Sequence, residues 1–355
     1  MKTNAGVSAL LKRDLHLSAA KIRKCKTPEH IATILCIPLH RLQLMAAKPV
    51  YHIFEIPKSD GSMRLIENPK KDLKEVLRSL NHFLQAHYYF TKPESAFGFV
   101  IAGKRDGRPR NILTNAEAHL GMPHLINIDM EDFFHSVKSE MVHQALQREL
   151  PLLSNAALEM LSALCTHNLR LPMGSPASPV LSNFAARPLD EDMMHFARLN
   201  KMKYTRFVDD LTFSSPQPIT DDLFGQIKGL IETQRFAINP EKVKMYNQEQ
   251  VKEVTGLRIY KNKVSIPDEF YEELDEDLLR LRCVLEAVCS TEPWRHGEEW
   301  MEELKKRIEG RINFIGMIHG KGHGRYNQYV ELYDKAMDVD DFVQSRSWLD
   351  FPYSV

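Results

Sequence analysis

The chain has 355 residues, 43% of them hydrophobic, which is enough for a substantial core spread over two or three subdomains. The formal net charge is zero, but residues 1–124 hold 20 Lys and Arg against 10 Asp and Glu, so a basic first third can face a polyanion while the remainder is acidic. The five cysteines show no Cys-x-x-Cys spacing, which argues against a structural zinc site. No apolar run approaches about 18 residues, which argues against a membrane span. The sequence also shows no signal peptide, so a cytoplasmic protein is expected.

The first 50 residues predict a helical segment. Thr27 and Pro28 match a helix N-cap followed by proline at the first helical position, and a second helix is predicted shortly after Ile37. Two short helices joined by a turn are also typical of a helix-turn-helix that reads DNA. Because no cluster of Arg, Asn or Gln follows, a helical cap that packs on the next domain is the favoured interpretation.

Residues 51–124 predict strands that alternate with one helix, from about Asp72 to His87, and then a stretch rich in loops. Within that stretch, residues 103–110 form a basic, glycine-rich insertion that contains Lys104 and Arg105. Both a solvated loop and a contact with phosphate groups are consistent with this composition.

Two apolar segments each present acidic residues at one end. Asp129 ends a predicted strand, and Asp209 and Asp210 stand side by side within residues 204–214, whose composition is typical of a β-hairpin. Each feature alone also fits a solvated turn or the acidic first turn of a helix. Adjacent carboxylates repel one another, and a bound Mg²⁺ ion removes this repulsion because it prefers carboxylate oxygens. Two strands that end in Asp could hold two such ions between them for in-line phosphoryl transfer. The combined pattern therefore predicts a two-metal site.

Between these segments lies a loop of small residues and prolines, residues 171–183, which includes Gly174 and Ser175. Such a loop is rigid, and its backbone can approach a ligand closely before the chain becomes helical. Taken alone, the loop would be unremarkable.

The three segments, in this order, resemble the palm motifs of reverse transcriptases, and in particular those of bacterial retrons. Residues 56–66 are similar to the fingers hairpin of that family, and residues 238–242 to the palm segment that supplies a lysine. Residues 115–119 fit the Asn-Ala-x-x-His run of retron enzymes, and residues 254–256 fit their Val-Thr-Gly run. The resemblance covers about residues 50–260.

The resemblance implies an α+β fold, that of a right-hand polymerase with fingers, palm and helical thumb. The expected order is an N-terminal helical segment over 1–50, fingers over 51–124, a palm over 125–257 with a helical insertion over 138–170, and a thumb over 258–355.

The resemblance also implies an RNA-directed DNA polymerase that uses dNTPs and copies part of a cognate structured non-coding RNA into DNA. Priming from an RNA 2′-OH is expected, within a retron anti-phage defence system. The partners would be that RNA, its DNA copy and an effector protein encoded nearby, without a membrane. Two alternatives stay open: a defence-associated reverse transcriptase outside the retrons, and a scaffold in a polymerase–RNA–DNA complex that restrains an effector.

Residue roles follow from the same resemblance. Asp129, Asp209 and Asp210 would be catalytic and would bind Mg²⁺, with the Met130 carbonyl as a further ligand. Phe134 occupies the position of the steric gate, whose ring clashes with a ribose 2′-OH. The other expected substrate contacts are Lys58, Arg64, Gly174, Ser175 and Lys242, and the expected RNA contacts are Asn115, His119, Lys104 and Arg105.

Overall fold

The computed structural model describes residues 15–57, 61–101, 107–290 and 298–337, without the side chains of 286–290 and 298. The chain divides into two compact units, Met1–Thr255 and Gly256–Val355. The predicted limit between palm and thumb, after residue 257, lies close to this division. The other predicted domain limits stay predictions.

Three helices open the described part of the first unit: α1 (residues 15–23), α2 (Pro28–Leu35) and α3 (Leu39–Ala47). Each buries an apolar face, which includes Ile22, Ile31 and Leu42. α2 follows the extended residue Thr27 and has proline in its first turn, as predicted, although the Thr27 side chain makes no capping hydrogen bond.

An antiparallel hairpin follows, formed by β1 (Tyr51–Pro57) and β2 (Met63–Pro69), and then a long helix, α4 (Lys71–Thr91). Most of β1 is exposed, whereas β2 becomes buried at Glu67 and Pro69. α4 buries Leu77, Leu80 and Leu84, because its apolar residues recur every three or four positions and so share one face.

The central sheet contains β3 (His124–Asp129), β4 (Lys203–Phe207), β5 (Asp210–Ser215) and β6 (Lys244–Tyr246). The strands are antiparallel and lie in the order β4-β5-β3-β6. Ile126, Leu211 and Phe213 are fully buried, and a slip of one residue would expose them. This packing fixes the register in which Asp129 lies directly opposite Asp210.

Further helices of the first unit are α5 (Ile112–Glu117), α6 (Phe133–Ser136), α7 (Ser139–Glu149), α8 (Asn155–Cys165), α9 (Ser178–Ala185), α10 (Arg187–Leu199) and α11 (Asp221–Thr233). A 3₁₀ turn (Pro240–Lys242) and a short strand, β7 (Lys252–Val254), follow. One continuous hydrophobic core joins the unit, from Ile22 in α1 to Phe236 after α11.

The second unit contains a short antiparallel pair, β8 (Leu257–Tyr260) and β9 (Lys263–Ser265), and three long helices, α12 (Asp268–Ser290), α13 (Glu298–His319) and α14 (Gly324–Met337). The helices pack through buried aliphatic residues, among them Leu274, Leu281 and Ile315. The buried carboxylate of Asp277 accepts hydrogen bonds from Arg307 at 2.5 and 2.9 Å, which ties α12 to α13.

Within the described ranges, no single helix is long and apolar enough to cross a membrane. α2 and α3 satisfy the criteria of length and composition only as a pair, and that pair is bent by 105°.

Candidate active site

The turn between β4 and β5 carries the paired aspartates. Phe207 pairs with Asp210 across the hairpin, so Val208 and Asp209 form a two-residue turn. Val208 has φ +64°, in the left-handed region that β-branched residues rarely adopt. Positive φ at the first turn residue alone is typical of a type II′ turn, in which glycine usually occupies that position. Strain of this kind costs about 1–3 kcal/mol and is concentrated at functional sites.

Three carboxylates meet at this end of the sheet. Asp129 ends β3 opposite Asp210, the first residue of β5, and Asp209 precedes Asp210 in the turn. Burial and the neighbouring charges of Asp209 and Asp129 raise the pKa of Asp210 to about 7. Burial also raises the pKa of Asp209, and the charge of Asp129 adds to that rise. The cluster therefore holds ionised carboxylates at a cost that a bound cation would remove.

Two basic side chains act on these carboxylates. Lys242, at the end of the 3₁₀ turn, places its Nζ atom 3.3 Å from Asp129 Oδ2. The Lys242 charge opposes the rise in the pKa of Asp209 and Asp210, and the charge of Arg64 on β2 does the same for Asp209. The predicted substrate residues Arg64 and Lys242 thus lie near the carboxylates and are both exposed.

The donor set fits a divalent cation that prefers oxygen ligands. Asp129 and Asp210 supply carboxylates from adjacent strands, Asp209 supplies one from the turn, and the Met130 backbone follows Asp129 directly. In the part of the chain that the structure describes, no group of three or more His, Cys, Asp or Glu side chains is arranged so that it could hold a metal ion by itself. An open set of carboxylates is what Mg²⁺ typically uses when substrate phosphates complete its coordination.

A buried ion pair supports the turn. Arg206 has no exposed side-chain surface, and its Nε and Nη2 atoms donate to Asp190 at 2.8 and 2.7 Å. Its Nη1 atom donates to the Val208 carbonyl at 3.0 Å and to Asn183 Oδ1 at 3.1 Å. Sequence reasoning missed this role. The available signal was a charged residue two positions after Tyr204, on the strand face that Tyr204 buries.

Gly98 packs against the same turn. A Cβ atom at this position would lie 2.6 Å from both the amide nitrogen and a side-chain methyl of Val208. The segment that contains Gly98 runs beside β4, because Arg206 exchanges backbone hydrogen bonds of 2.8 Å with Ser95 and Phe97. Only glycine therefore allows this close approach to the strained turn.

The two aromatic residues after Asp129 differ in their surroundings. Phe133 is buried in the core, with its ring centroid 5.6 Å from that of Phe236. Phe134 is only partly buried, and its ring lies 6.0 Å from that of Phe99. Of the two, Phe134 is the ring that remains accessible near the carboxylates.

The loop with Gly174 and Ser175 is joined to β2. The Glu67 N–H donates to the Met173 carbonyl at 2.7 Å, and Gly174 has φ +110°. A Cβ atom on Gly174 would approach Ile66 Cγ2 to 3.1 Å, so the glycine permits this packing. Ser175 is buried, and its hydroxyl has no hydrogen-bond partner among the described residues. The loop can therefore present its backbone to a substrate, but the Ser175 side chain is not accessible.

Glu67 is a second residue that sequence reasoning missed. Its buried carboxylate lies 2.7 Å from His167 Nδ1 and 3.1 Å from His135 Nε2, and it accepts a hydrogen bond from Arg170 at 2.7 Å. Burial alone would raise the pKa of Glu67, but the hydrogen bonds from His167 and Arg170 lower it overall. Because His135 follows Phe134 directly, Glu67 links β2 to the segment that carries the accessible ring.

The predicted RNA contacts Asn115 and His119 are buried, which contradicts direct binding of RNA by their side chains. His119 has no exposed surface, and its two ring nitrogens lie 2.7 Å from the hydroxyls of Ser214 and Thr205. Burial and the charge of Lys203 lower the pKa of His119 to about 3, so the ring is neutral. It joins β4 to β5. Asn115 is 1% exposed, and its amide atoms have no partner among the described residues.

Three predicted contacts lie outside the described residues, namely Lys58, Lys104 and Arg105. Their predicted roles stay predictions.

Comparison with known proteins adds to this geometry. A model of the family "Reverse transcriptase (RNA-dependent DNA polymerase)" matches residues 56–259. The Retron Ec83 reverse transcriptase of Escherichia coli is 26% identical, over 75% of this chain and 94% of that protein. The Retron Ec86 reverse transcriptase of Escherichia coli is 27% identical, over 86% of this chain and 88% of that protein. The Retron Mx162 reverse transcriptase of Myxococcus xanthus is 30% identical, over 81% of this chain and 61% of that protein.

The matched range contains Asp129, Asp209 and Asp210, the carboxylates that β3 and the hairpin turn bring together. The predicted α+β, right-hand polymerase fold class is thereby confirmed, as is the activity of an RNA-directed DNA polymerase. Enzymes of this family use divalent metal ions, in agreement with the donor set. The chain belongs to the reverse transcriptase family and is a retron-type member of it.

Proposed function

We propose that this polymerase copies part of a cognate structured non-coding RNA into DNA, starts from a 2′-OH of that RNA, and uses dNTPs and Mg²⁺. In this proposal it acts in the cytoplasm, in a retron anti-phage defence system whose effector protein is encoded nearby. The observation that carries the proposal is the set of three carboxylates at one end of the central sheet, in a chain whose relatives are named retron reverse transcriptases.

The carboxylates Asp129, Asp209 and Asp210 would hold Mg²⁺ together with the Met130 carbonyl. A divalent ion held by these residues would lower the pKa of the attacking RNA or primer hydroxyl and would stabilise the charge on the leaving oxygen. The chain itself fixes the spacing of the ligands, through the register of β3 and β5 and the strained turn. Because the pKa of Asp210 is raised to about 7, metal binding must displace a proton below that pH, and activity should fall on acidification.

The other substrate roles follow from position and charge. Arg64 and Lys242 are exposed cations beside the carboxylates, and they would contact the triphosphate and assist the departure of pyrophosphate. Lys58 would act with Arg64. Gly174 would offer its backbone to the nucleotide, and Phe134 would select deoxynucleotides by clashing with a ribose 2′-OH. Lys104 and Arg105 are proposed to contact RNA phosphates.

The nucleic acid that copurifies with the protein tests this proposal. The wild-type chain should carry a branched species, a structured RNA whose internal 2′-OH is joined to a short DNA. Asp209→Asn should retain the RNA without the DNA, because an amide keeps the shape of the carboxylate but removes the charge that holds the ions. Glu249→Gln, at an exposed loop position, is the matched control and should carry both strands. Recovery of heterogeneous RNA without a branch from the wild type would contradict the retron assignment of the RNA.

A further inference from the structure

The segment beside β4 ends in a residue whose backbone is strained. Phe99 has φ +54°, a conformation that is rare for bulky side chains. The carbonyls on both sides of this conformation are held, because Asn183 Nδ2 donates to the Gly98 carbonyl at 3.1 Å and Gln85 Nε2 donates to the Phe99 carbonyl at 3.3 Å. Surrounding helices therefore impose the strained conformation. A strained, non-glycine residue next to an active site suggests a function for its side chain.

The side chain in question is an aromatic ring close to the carboxylates. Phe99 is 39% exposed, and the centroid of its ring lies 6.0 Å from that of Phe134, with 52° between the ring planes. This distance is within the range over which tilted aromatic rings attract one another. Phe134 also contacts the buried Phe133 ring, at 5.8 Å. Phe134 thus has one aromatic neighbour in the core and another, Phe99, that faces solvent.

The helix that carries Phe134 constrains it only weakly. α6 is four residues long and follows Asp132, whose φ of +44° ends the preceding extended segment. A single helical turn has few backbone hydrogen bonds of its own, so tertiary contacts must fix the side chains on it. On the solvent side of Phe134, the aromatic contact that the structure provides is Phe99.

We propose that Phe99 is a positioning residue for sugar selection, whose ring keeps Phe134 in the orientation that excludes a ribose 2′-OH. The proposal rests on the proposed role of Phe134 as the steric gate. Gly98 and Phe99 together would then couple two functions, since Gly98 supports the turn with Asp209 and Phe99 supports the gate. Loss of the Phe99 ring frees Phe134 to rotate and admits ribonucleotides.

The test measures discrimination in primer extension on an annealed RNA template with a DNA primer. The quantity is the ratio of kcat/KM for a dNTP to kcat/KM for the matching ribonucleotide. Phe99→Ala and Phe99→Gly both remove the ring, but only glycine relieves the positive φ, so a shared effect belongs to the ring. Both variants should lower the ratio roughly threefold to tenfold, the range expected from losing one aromatic pair. Phe99→Tyr keeps the ring and should keep the ratio.

Phe134→Ala and the double variant Phe134→Ala with Phe99→Ala show whether a negative result counts against the gate role of Phe134 or only against the positioning role of Phe99. If the proposal holds, Phe134→Ala lowers the ratio and adding Phe99→Ala changes it no further, because the two residues act through one ring. An unchanged ratio in Phe134→Ala would overturn the gate assignment and this inference with it. A lowered ratio in Phe134→Ala with an unchanged ratio in both ring-deleted Phe99 variants would overturn the inference alone. Equal losses with dNTP and ribonucleotide would also overturn it, and would indicate that Phe99 stacks on template or primer.

Discussion

Replacing Asp210 with Asn should stabilise the metal-free protein, and the gain should depend on pH. The folded chain raises the pKa of Asp210 from 3.8 to about 7, by burial and by the charges of Asp209 and Asp129. Between those values the folded state holds a proton that the unfolded state has released. The free energy of unfolding therefore falls as pH rises through this window, and the full penalty is present above about pH 7.

The size of the effect follows from the shift. About three pKa units correspond to at most about 4 kcal/mol, and solvent that reaches this partly exposed site reduces the figure, so we expect about 1–4 kcal/mol at pH 8. Asn cannot ionise and avoids the penalty. At pH 4 the Asp210 carboxyl is protonated in the folded state, so the variant should gain little there. Mg²⁺ should stabilise the wild type and reverse the order at pH 8, because it binds the folded carboxylates.

The assay must report on the first unit. All three tryptophans, Trp294, Trp300 and Trp348, follow residue 255 in the sequence, so tryptophan fluorescence would not report on the first unit. Hydrogen exchange of peptides from β5, measured in urea with EDTA, reports the free energy of unfolding of the first unit. The exchange rates at each pH are corrected for the intrinsic rate at that pH. Glu249→Gln, at an exposed position, controls for the loss of one negative charge. Equal stability of Asp210→Asn and wild type at pH 8, or a loss, would refute the reasoning.

Three further outcomes are expected. Asp209→Asn should abolish Mg²⁺-dependent primer extension while its melting temperature stays at or above that of the wild type. Arg206→Met or Asp190→Leu alone should cost about 3–5 kcal/mol in urea unfolding, because each leaves a buried charge unpaired. The double variant should regain most of that stability but not polymerase activity, since the Val208 carbonyl still lacks its donor. His119→Ala should lower the free energy of unfolding by about 3 kcal/mol, and with it the melting temperature, because it leaves two buried hydroxyls without their partner. The same variant should reduce DNA synthesis on the cognate RNA and from a generic annealed primer equally.

The position of the three carboxylates could be predicted because the information for it is local. An apolar strand that ends in Asp129, and a hairpin with Asp209 and Asp210 at its turn, need only alternation of side chains and turn chemistry to place carboxylates at strand ends. Buried aliphatic residues then leave one register that satisfies both strands, and it sets Asp129 opposite Asp210.

The roles of Asn115 and His119 could not be predicted in the same way. Both were expected to contact RNA because they match the Asn-Ala-x-x-His run, but α5 ends at Glu117, so His119 lies beyond the helix. Which direction a side chain takes after a helix ends depends on the sheet against which it packs. In this protein that sheet presents two hydroxyls, from Thr205 and Ser214, at hydrogen-bond distance. The sequence alone does not specify that pairing, because the partners lie 86 and 95 residues away.

The same limit applies to Arg206, and its role explains how the turn tolerates valine. A β-branched residue with φ +64° costs about 1–3 kcal/mol, which the turn alone cannot offset. A hydrogen bond from a charged donor contributes about 1.5–3 kcal/mol, and Arg206 makes one to the Val208 carbonyl at 3.0 Å. The two magnitudes are comparable, so the guanidinium can hold the strained turn before any substrate arrives. Asp190 keeps the guanidinium in place, and the turn that carries Asp209 is thereby supported by a charge pair whose side chains have no exposed surface.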